Sequence, residues 1–380
     1  MNPLLSLPPR RVNRIAVSCF FFLAGLCFSS WASRIPSIQQ KLQLNNVSLG
    51  GVLLALPCGL MVSLPLAGWL VAKFGSRPIA IGAGLLYASL LPTLGFASAV
   101  WQLVTGLFFF GMAGNMLNIA VNTQAIATES LYGRTIMASY HGLWSLAGFS
   151  GASIGGLFLG LGWLPWQHFL VITVLAYAIV FFMARNLITQ DLGAGENRPI
   201  FARPDRTLIN LGIIAFCSMI CEGTMFDWSN VYFQKVIFPP KALAGIGLTA
   251  FMSTMAAGRF FGDWVTTRLG VKRILRISGI LTSAGLLTAI VFPWLLPALL
   301  GFLLVGAGVS SVVPLVYSAA GRSKVLSPGV ALAAVSTLGY LGFLFGPPFI
   351  GFIAHISSLR VSLGLIAILG SIIALFASKI

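Results

Sequence analysis

Apolar runs of about twenty residues, separated by short polar breaks, follow one another from Arg14 almost to the end of the chain. A helical run of that length matches the roughly 30 Å hydrocarbon core of a bilayer. Repeated this often, such runs exceed what one soluble core can bury, and in lipid each must satisfy its own backbone hydrogen bonds as a helix. Composition agrees: 8% of the residues are charged, where soluble domains carry about a quarter. A soluble enzyme and a disordered chain are both excluded. The fold class expected is an all-α membrane protein.

Read in order, the spans are 14–34, 47–72, 78–98, 101–127, 137–160 and 166–184, then 207–233, 241–266, 274–293, 296–320, 329–354 and 360–378. Twelve transmembrane helices in two pseudo-symmetric six-helix bundles result, 1–184 and 207–380, joined by the polar stretch 185–206. Arg10, Arg11 and Arg14 precede the first run as they would in a signal peptide, but the run is longer than a 7–15-residue signal core. With the N-terminus inside, 17 of the 23 Lys and Arg fall on the cytoplasmic side and five on the other, with Arg259 inside a span. This satisfies the positive-inside rule. Both termini are therefore expected to be cytoplasmic, in the inner membrane of a bacterial cell. The net charge of +16 is scattered in short clusters between the apolar runs. It reads as a bilayer-embedded pattern and not as a nucleic-acid surface. The five cysteines all sit inside apolar stretches without metal or disulfide spacing, and read as small core residues.

The halves repeat weakly. Gly68-Trp-Leu-Val-Ala-Lys73-Phe-Gly75-Ser-Arg77 lies between the second and third spans, and Gly262-Asp263-Trp-Val-Thr-Thr-Arg268-Leu-Gly270-Val-Lys272-Arg273 between the eighth and ninth. Aligning Gly75 with Gly270 sets Lys73 against Arg268 and Arg77 against Lys272, an offset of 195. Ser30-Trp31-Ala-Ser33 and Asp227-Trp228-Ser229-Asn230 repeat at an offset of 197. Two six-helix repeats joined by a polar linker are the plan of a secondary transporter. The paired loops resemble the loop signature of the major facilitator superfamily, and the resemblance covers essentially the whole chain. Ala32-Ser-Arg34-Ile-Pro36, Asn118-Ile-Ala-Val-Asn122-Thr-Gln124, His141-Gly-Leu-Trp144, Glu222-Gly-Thr-Met-Phe-Asp227-Trp228 and Gly346-Pro347-Pro348 resemble the fucose-permease-like branch of bacterial sugar-permease relatives. One departure stands out: the acidic position of the loop signature is Ala72 in one copy and Thr267 in the other. The charge pairing that the family implies at the inner gate must differ here, with Asp263 and Glu129 the acids at hand.

Ionisable groups at membrane depth cost about 2.5–3.5 kcal/mol on insertion scales, so each is a functional candidate. Glu222, about fifteen residues into the seventh span, is the most deeply placed carboxylate. It is the expected proton carrier, against the alternative of a structural carboxylate bonded to a neighbouring helix. Asp227 is rotated about 140° from it on the helix, toward the external end, and is a second proton-coupling candidate. Arg34 ends the first span on that side. An Arg34–Asp227 pair can serve as an outer gate, a substrate clamp or a plain interfacial ion pair. Asn115, Asn118 and Asn122 fall within about 60° of one another on the fourth span, a stripe suited to bonding solute hydroxyls or another helix. In the family the first, fourth, seventh and tenth spans line the cavity, which implies substrate contacts for Trp31 and Trp228 as well. Arg34 joins the substrate set as a clamp. On the inner side, Arg259 and Asp263 have the i, i+4 spacing of an ion pair. With Lys73, Arg77, Glu129 and Arg268 they form the gating set. His168 reads as interfacial, and His141 as a helix-end histidine able to titrate.

No catalytic constellation, phosphate loop or metal-ligand spacing is present, so neither an enzymatic role nor a cofactor is expected. The expected function is proton-coupled transport of a small polar organic solute, a sugar foremost, by alternating access in a monomer. The alternatives are export of lipophilic drugs or of a secreted metabolite such as a siderophore, and a non-transporting sensor on the same fold.

Overall fold

In the computed structural model, residues 9–132, 136–189, 206–240, 243, 245–320 and 328–379 are described, and the side chains of a few helical positions, Asp263 among them, are not. Arg134 and residues 190–205 of the linker expected at 185–206 lie outside these residues. The described chain is helical, with no strand among its elements. The helices are α1 (Pro9–Ser33), α2 (Ile35–Lys41), α3 (Asn46–Leu53), α4 (Ala55–Phe74), α5 (Ser76–Phe96), α6 (Val100–Tyr132), α7 (Met137–Gly160) and α8 (Pro165–Met183). They continue with α9 (Arg206–Tyr232), α10 (Ile246–Leu269), α11 (Val271–Val291), α12 (Leu295–Val309), α13 (Val312–Ala320), α14 (Pro328–Ile356) and α15 (Leu359–Ala377).

Eleven helical stretches are long and apolar enough to cross a bilayer, with α3–α4 and α12–α13 each counting as one. The stretch missing from that set is α10. Its 24 residues reach about 36 Å at 1.5 Å per residue, ample for a crossing. Its charged residues, Arg259, Asp263 and Arg268, lower its apolarity. With α10 the spans number twelve, as the sequence predicts.

The helices fall into two compact units, Met1–Leu42 with Ala55–Glu196, and Gln43–Leu54 with Asn197–Ile380. In the first, α1 packs on α6, α7 and α8, α4 on α6, and α5 on α6 and α8. In the second, α9 packs on α14 and α15, α10 on α12, and α11 on α12 and α15. Substituting α9 for α1, α10 for α4, α11 for α5, α12 for α6, α14 for α7 and α15 for α8 reproduces most of the packing partners of the first unit. The weak sequence repeat therefore corresponds to a shared packing scheme. The second unit also takes in α3, which lies on α14. There Gly50 meets the Pro347 carbonyl so closely that a Cβ would sit 2.7 Å from it.

The loop glycines give the repeat a backbone signature. Gly75 caps the start of α5 with φ 85° and ψ 157°, and Gly270 caps the start of α11 with φ 78° and ψ 153°. Positive φ with extended ψ is reached freely only by glycine, so both copies of the loop turn by the same device.

Candidate functional site

α9 is the most enclosed span, with 83% of its apolar window buried. A helix buried on all sides has no lipid-facing stripe, so its polar residues need partners within the protein. Glu222, 6% exposed, stands at its middle. Its Oε1 accepts a hydrogen bond from Arg259 Nη2 on α10 at 3.1 Å, a charge-assisted contact that ties the two helices together. The expected Arg259–Asp263 pair falls on a side chain outside the described residues. Helical spacing brings Asp263 near Arg259 along one face, whereas the packing of α9 beside α10 brings a carboxylate 37 residues away into direct contact. Glu222 and Arg259, assigned separately to coupling and to gating from the sequence, are one unit. Asp227 lies half-buried further along α9. Beside it, Trp228 is fully buried, and its indole Nε1 has no described partner. Trp31, its counterpart on α1, is 1% exposed with an indole Nε1 in the same condition.

In the first unit the asparagine stripe divides. Asn118 is exposed and Asn122 half-buried, and Asn122 Nδ2 donates to Asn118 Oδ1 at 2.6 Å and to the Asn118 carbonyl at 2.9 Å. Asn115, 5% exposed, turns away and donates to Ser63 Oγ at 2.8 Å and to the Leu60 carbonyl at 3.3 Å on α4. Asn115 is an interhelical bond; only Asn118 and Asn122 leave amide groups at an accessible face.

At the far end of α1, Arg34 is fully buried. Its Nε donates to His168 Nδ1 at 3.3 Å and its Nη2 to the Trp163 carbonyl at 2.9 Å. Both partners are in its own unit and neither is an acid, so the described bonds of Arg34 do not include the expected Asp227. His168 is likewise fully buried, not interfacial. It begins α8, and the helix turns its ring inward onto Phe158 and Arg34.

The gating candidates have local roles. Glu129 Oε2 accepts from the backbone N–H groups of Ile136 and Met137 at 2.7 and 3.0 Å. It is an anion at the positive end of α7. Replacing Glu129 with alanine is expected to destabilise the protein by about 1 kcal/mol, the usual loss of a helix cap; an unchanged melting temperature in detergent would contradict the capping role. Lys73 Nζ stands 4.7 Å over the Trp69 ring and Arg268 4.2 Å over the Trp264 ring. The same cation–aromatic contact, four residues apart, thus recurs in both copies of the loop. Arg77 is half-buried next to Ser76. The gate proposed for Asp263 rests on a side chain outside the described residues. His141 packs edge-on against Phe21.

Gln124, which ends the Asn118–Gln124 segment, is fully buried. Its amide donates to Ser76 Oγ at 2.7 Å and to the Ile188 carbonyl at 2.8 Å, and accepts from Ile188 N at 2.8 Å. It pins the exit of the sixth span to α6. No group of three or more potential metal ligands occurs among the described residues.

Twelve spans in two like units, with a buried ion pair between helices of one of them, define a secondary transporter. The profile of the Major Facilitator Superfamily matches residues 17–323, and the chain belongs to that family, whose members are transporters and not enzymes. It is 34% identical over 359 residues to an uncharacterised MFS-type transporter of Yersinia pestis, covering 94% of this chain and 93% of the relative. It is 33% identical over 371 residues to the membrane protein MosC of Rhizobium meliloti, with 97% and 90% covered. Among solved structures, the fucose:proton symporter FucP of E. coli shares the fold with a TM-score of 0.64, 17% identity and coverage of 98% and 99%.

Proposed function

We propose that the protein couples the movement of a small polar organic solute to protons, with Glu222 as the proton-carrying group. The observation that carries this reading is the buried Glu222–Arg259 pair. With Glu222 ionised, α9 and α10 are held together by charge. A proton on Glu222 cancels its charge and removes the ionic attraction of this contact. That state favours a rearrangement in which α9 and α10 are less tightly held. A buried carboxylate whose protonation changes which helix packing is preferred is what a proton-driven cycle needs. Asp227, half-buried further along the same helix, is the second group placed to exchange protons with the external side. Asn118 and Asn122 supply neutral donors and acceptors for solute hydroxyls, while Trp31, Trp228 and Arg34 belong to the spans assigned to the cavity. Lys73, Arg77, Arg268 and Asp263 stand as the inner gate.

The positive-inside count supports cytoplasmic termini for a chain read as residing in a bacterial inner membrane, and nothing in the reading requires a second copy. Transport of a sugar is the first class to test, because FucP carries fucose on the same fold. Export of a lipophilic compound is the competing outcome.

In proteoliposomes, Glu222→Gln is expected to abolish accumulation driven by a pH gradient while leaving solute exchange at zero gradient intact. Accumulation at the wild-type level in this variant would overturn the assignment.

A further inference from the structure

Arg34 is a permanent cation, fully buried, whose described partners are a neutral imidazole nitrogen and a carbonyl. Buried charges in proteins are paired as a rule, because desolvating an unpaired ion is costly. The three carboxylates that belong to its unit are Glu129, Asp191 and Glu196. Glu129 caps the start of α7, whereas Trp163, the Arg34 partner, follows the end of that helix. The 24 residues of α7 set the two about 36 Å apart. Asp191 and Glu196 lie outside the described residues. Among the described residues of this unit, no acid is therefore placed to neutralise Arg34.

The remaining hydrogen-bonding capacity of the cluster is of one kind. His168 Nδ1 accepts from Arg34 Nε, so in the neutral ring the proton resides on Nε2. Arg34 Nη1 and His168 Nε2 are both buried and both lack a protein partner. Each is a donor. Two donors without an acceptor, one of them charged, form a complement to an anion. Gly155 lets α7 pack closely against the cluster: a Cβ there would lie 3.2 Å from His168 Cε1 and would collide with Ser33 Oγ. The serine hydroxyls of Ser29 and Ser30, one turn back on α1, also have no partner.

We propose that Arg34 and His168 form a binding site for the carboxylate of the transported solute, which is accordingly an organic anion. The guanidinium supplies the charge and His168 a second donor, while the Trp163 carbonyl holds the guanidinium in place. The inference rests on the transporter reading above and narrows its substrate class. It does not require Glu222 to be the proton carrier.

The test is dose-dependent thermal stabilisation of the detergent-purified protein by lactate, succinate and benzoate. Their amides, lactamide, succinamide and benzamide, serve as neutral counterparts at matched pH and ionic strength. At least one carboxylate is expected to stabilise the wild type where its amide does not. A charged hydrogen bond contributes about 1.5–3 kcal/mol, so Arg34→Gln should weaken that binding by roughly ten- to a hundredfold. Arg34→Lys, which keeps the charge and loses the fork, should retain part of it. If Arg34→Gln fails to fold, Arg34→Lys and His168→Gln decide, each with an expected loss of about tenfold. Stabilisation by no carboxylate, or equal binding in wild type and both of these variants, overturns the site. Proton uptake on solute addition to proteoliposomes separates the two readings. Carboxylate binding without proton movement removes the coupling and keeps the site. Proton movement with a neutral sugar alone removes the site and keeps the coupling.

Discussion

Replacing Arg259 with leucine while Glu222 keeps its carboxylate is expected to lower stability by about 3–5 kcal/mol, the usual result of stranding one member of a buried ion pair. Glu222 is 6% exposed, and its described bond is to Arg259. Removing both charges together, as Glu222→Leu with Arg259→Leu, should recover most of that loss, because apolar residues of similar volume commonly replace buried pairs at little expense. Melting temperatures of the two single variants and the double variant in one detergent close the cycle. If Arg259→Leu melts with the wild type, the pair does not carry the α9–α10 contact. If the double variant is as damaged as the single, the loss came from packing and not from charge.

The second large effect is expected at Gln124. Leucine there has a similar volume but removes three hydrogen bonds at a fully buried site. It leaves the N–H and carbonyl of Ile188 and the hydroxyl of Ser76 without this partner. Stranded buried polar groups cost about 1–3 kcal/mol each, and groups sharing one partner do not add fully. A total near 3 kcal/mol is the expectation. Limited proteolysis around residue 188, compared between wild type and Gln124→Leu, reads the same contact directly. Cleavage in the variant should become faster. Equal rates together with an unchanged melting temperature would show that Ile188 is held by other means.

How far the sequence carries the reader depends on the range of the interaction. Span number follows from a solvent of fixed thickness, and the twelve helices are accordingly legible, including α10, whose charges lower its apolarity without shortening it. The loop turns are legible for a related reason, since a glycine at a strained φ is visible as a repeated letter. Partner choice is not. Asn115, Asn118 and Asn122 share a helical face to within about 60°, but a wheel gives a direction without saying what lies in it. Ser63 on α4 takes Asn115 out of the set. Arg259 bonds Glu222 on another helix, a partner that no spacing along α10 could point to. His168 sits at a helix end, where exposure is the default, and packing turns it inward. Gln124 stood in the sequence only as the end of the Asn118–Gln124 segment, and its burial became apparent only with the tertiary structure.

The matching turns at Gly75 and Gly270 speak to ancestry. Two stretches that retain few letters in common still bend in the same rare way, and each places a cation over the tryptophan one turn before it. Acid and base did not descend in parallel: at the offset that relates Trp31 to Trp228, Glu222 corresponds to Gly25 and Arg34 to Val231. Under the proposed roles, one copy carries the proton-titrating group and the other a fixed positive charge, and neither disturbs the shared bends. The halves are siblings in architecture to which those roles assign different chemical labour.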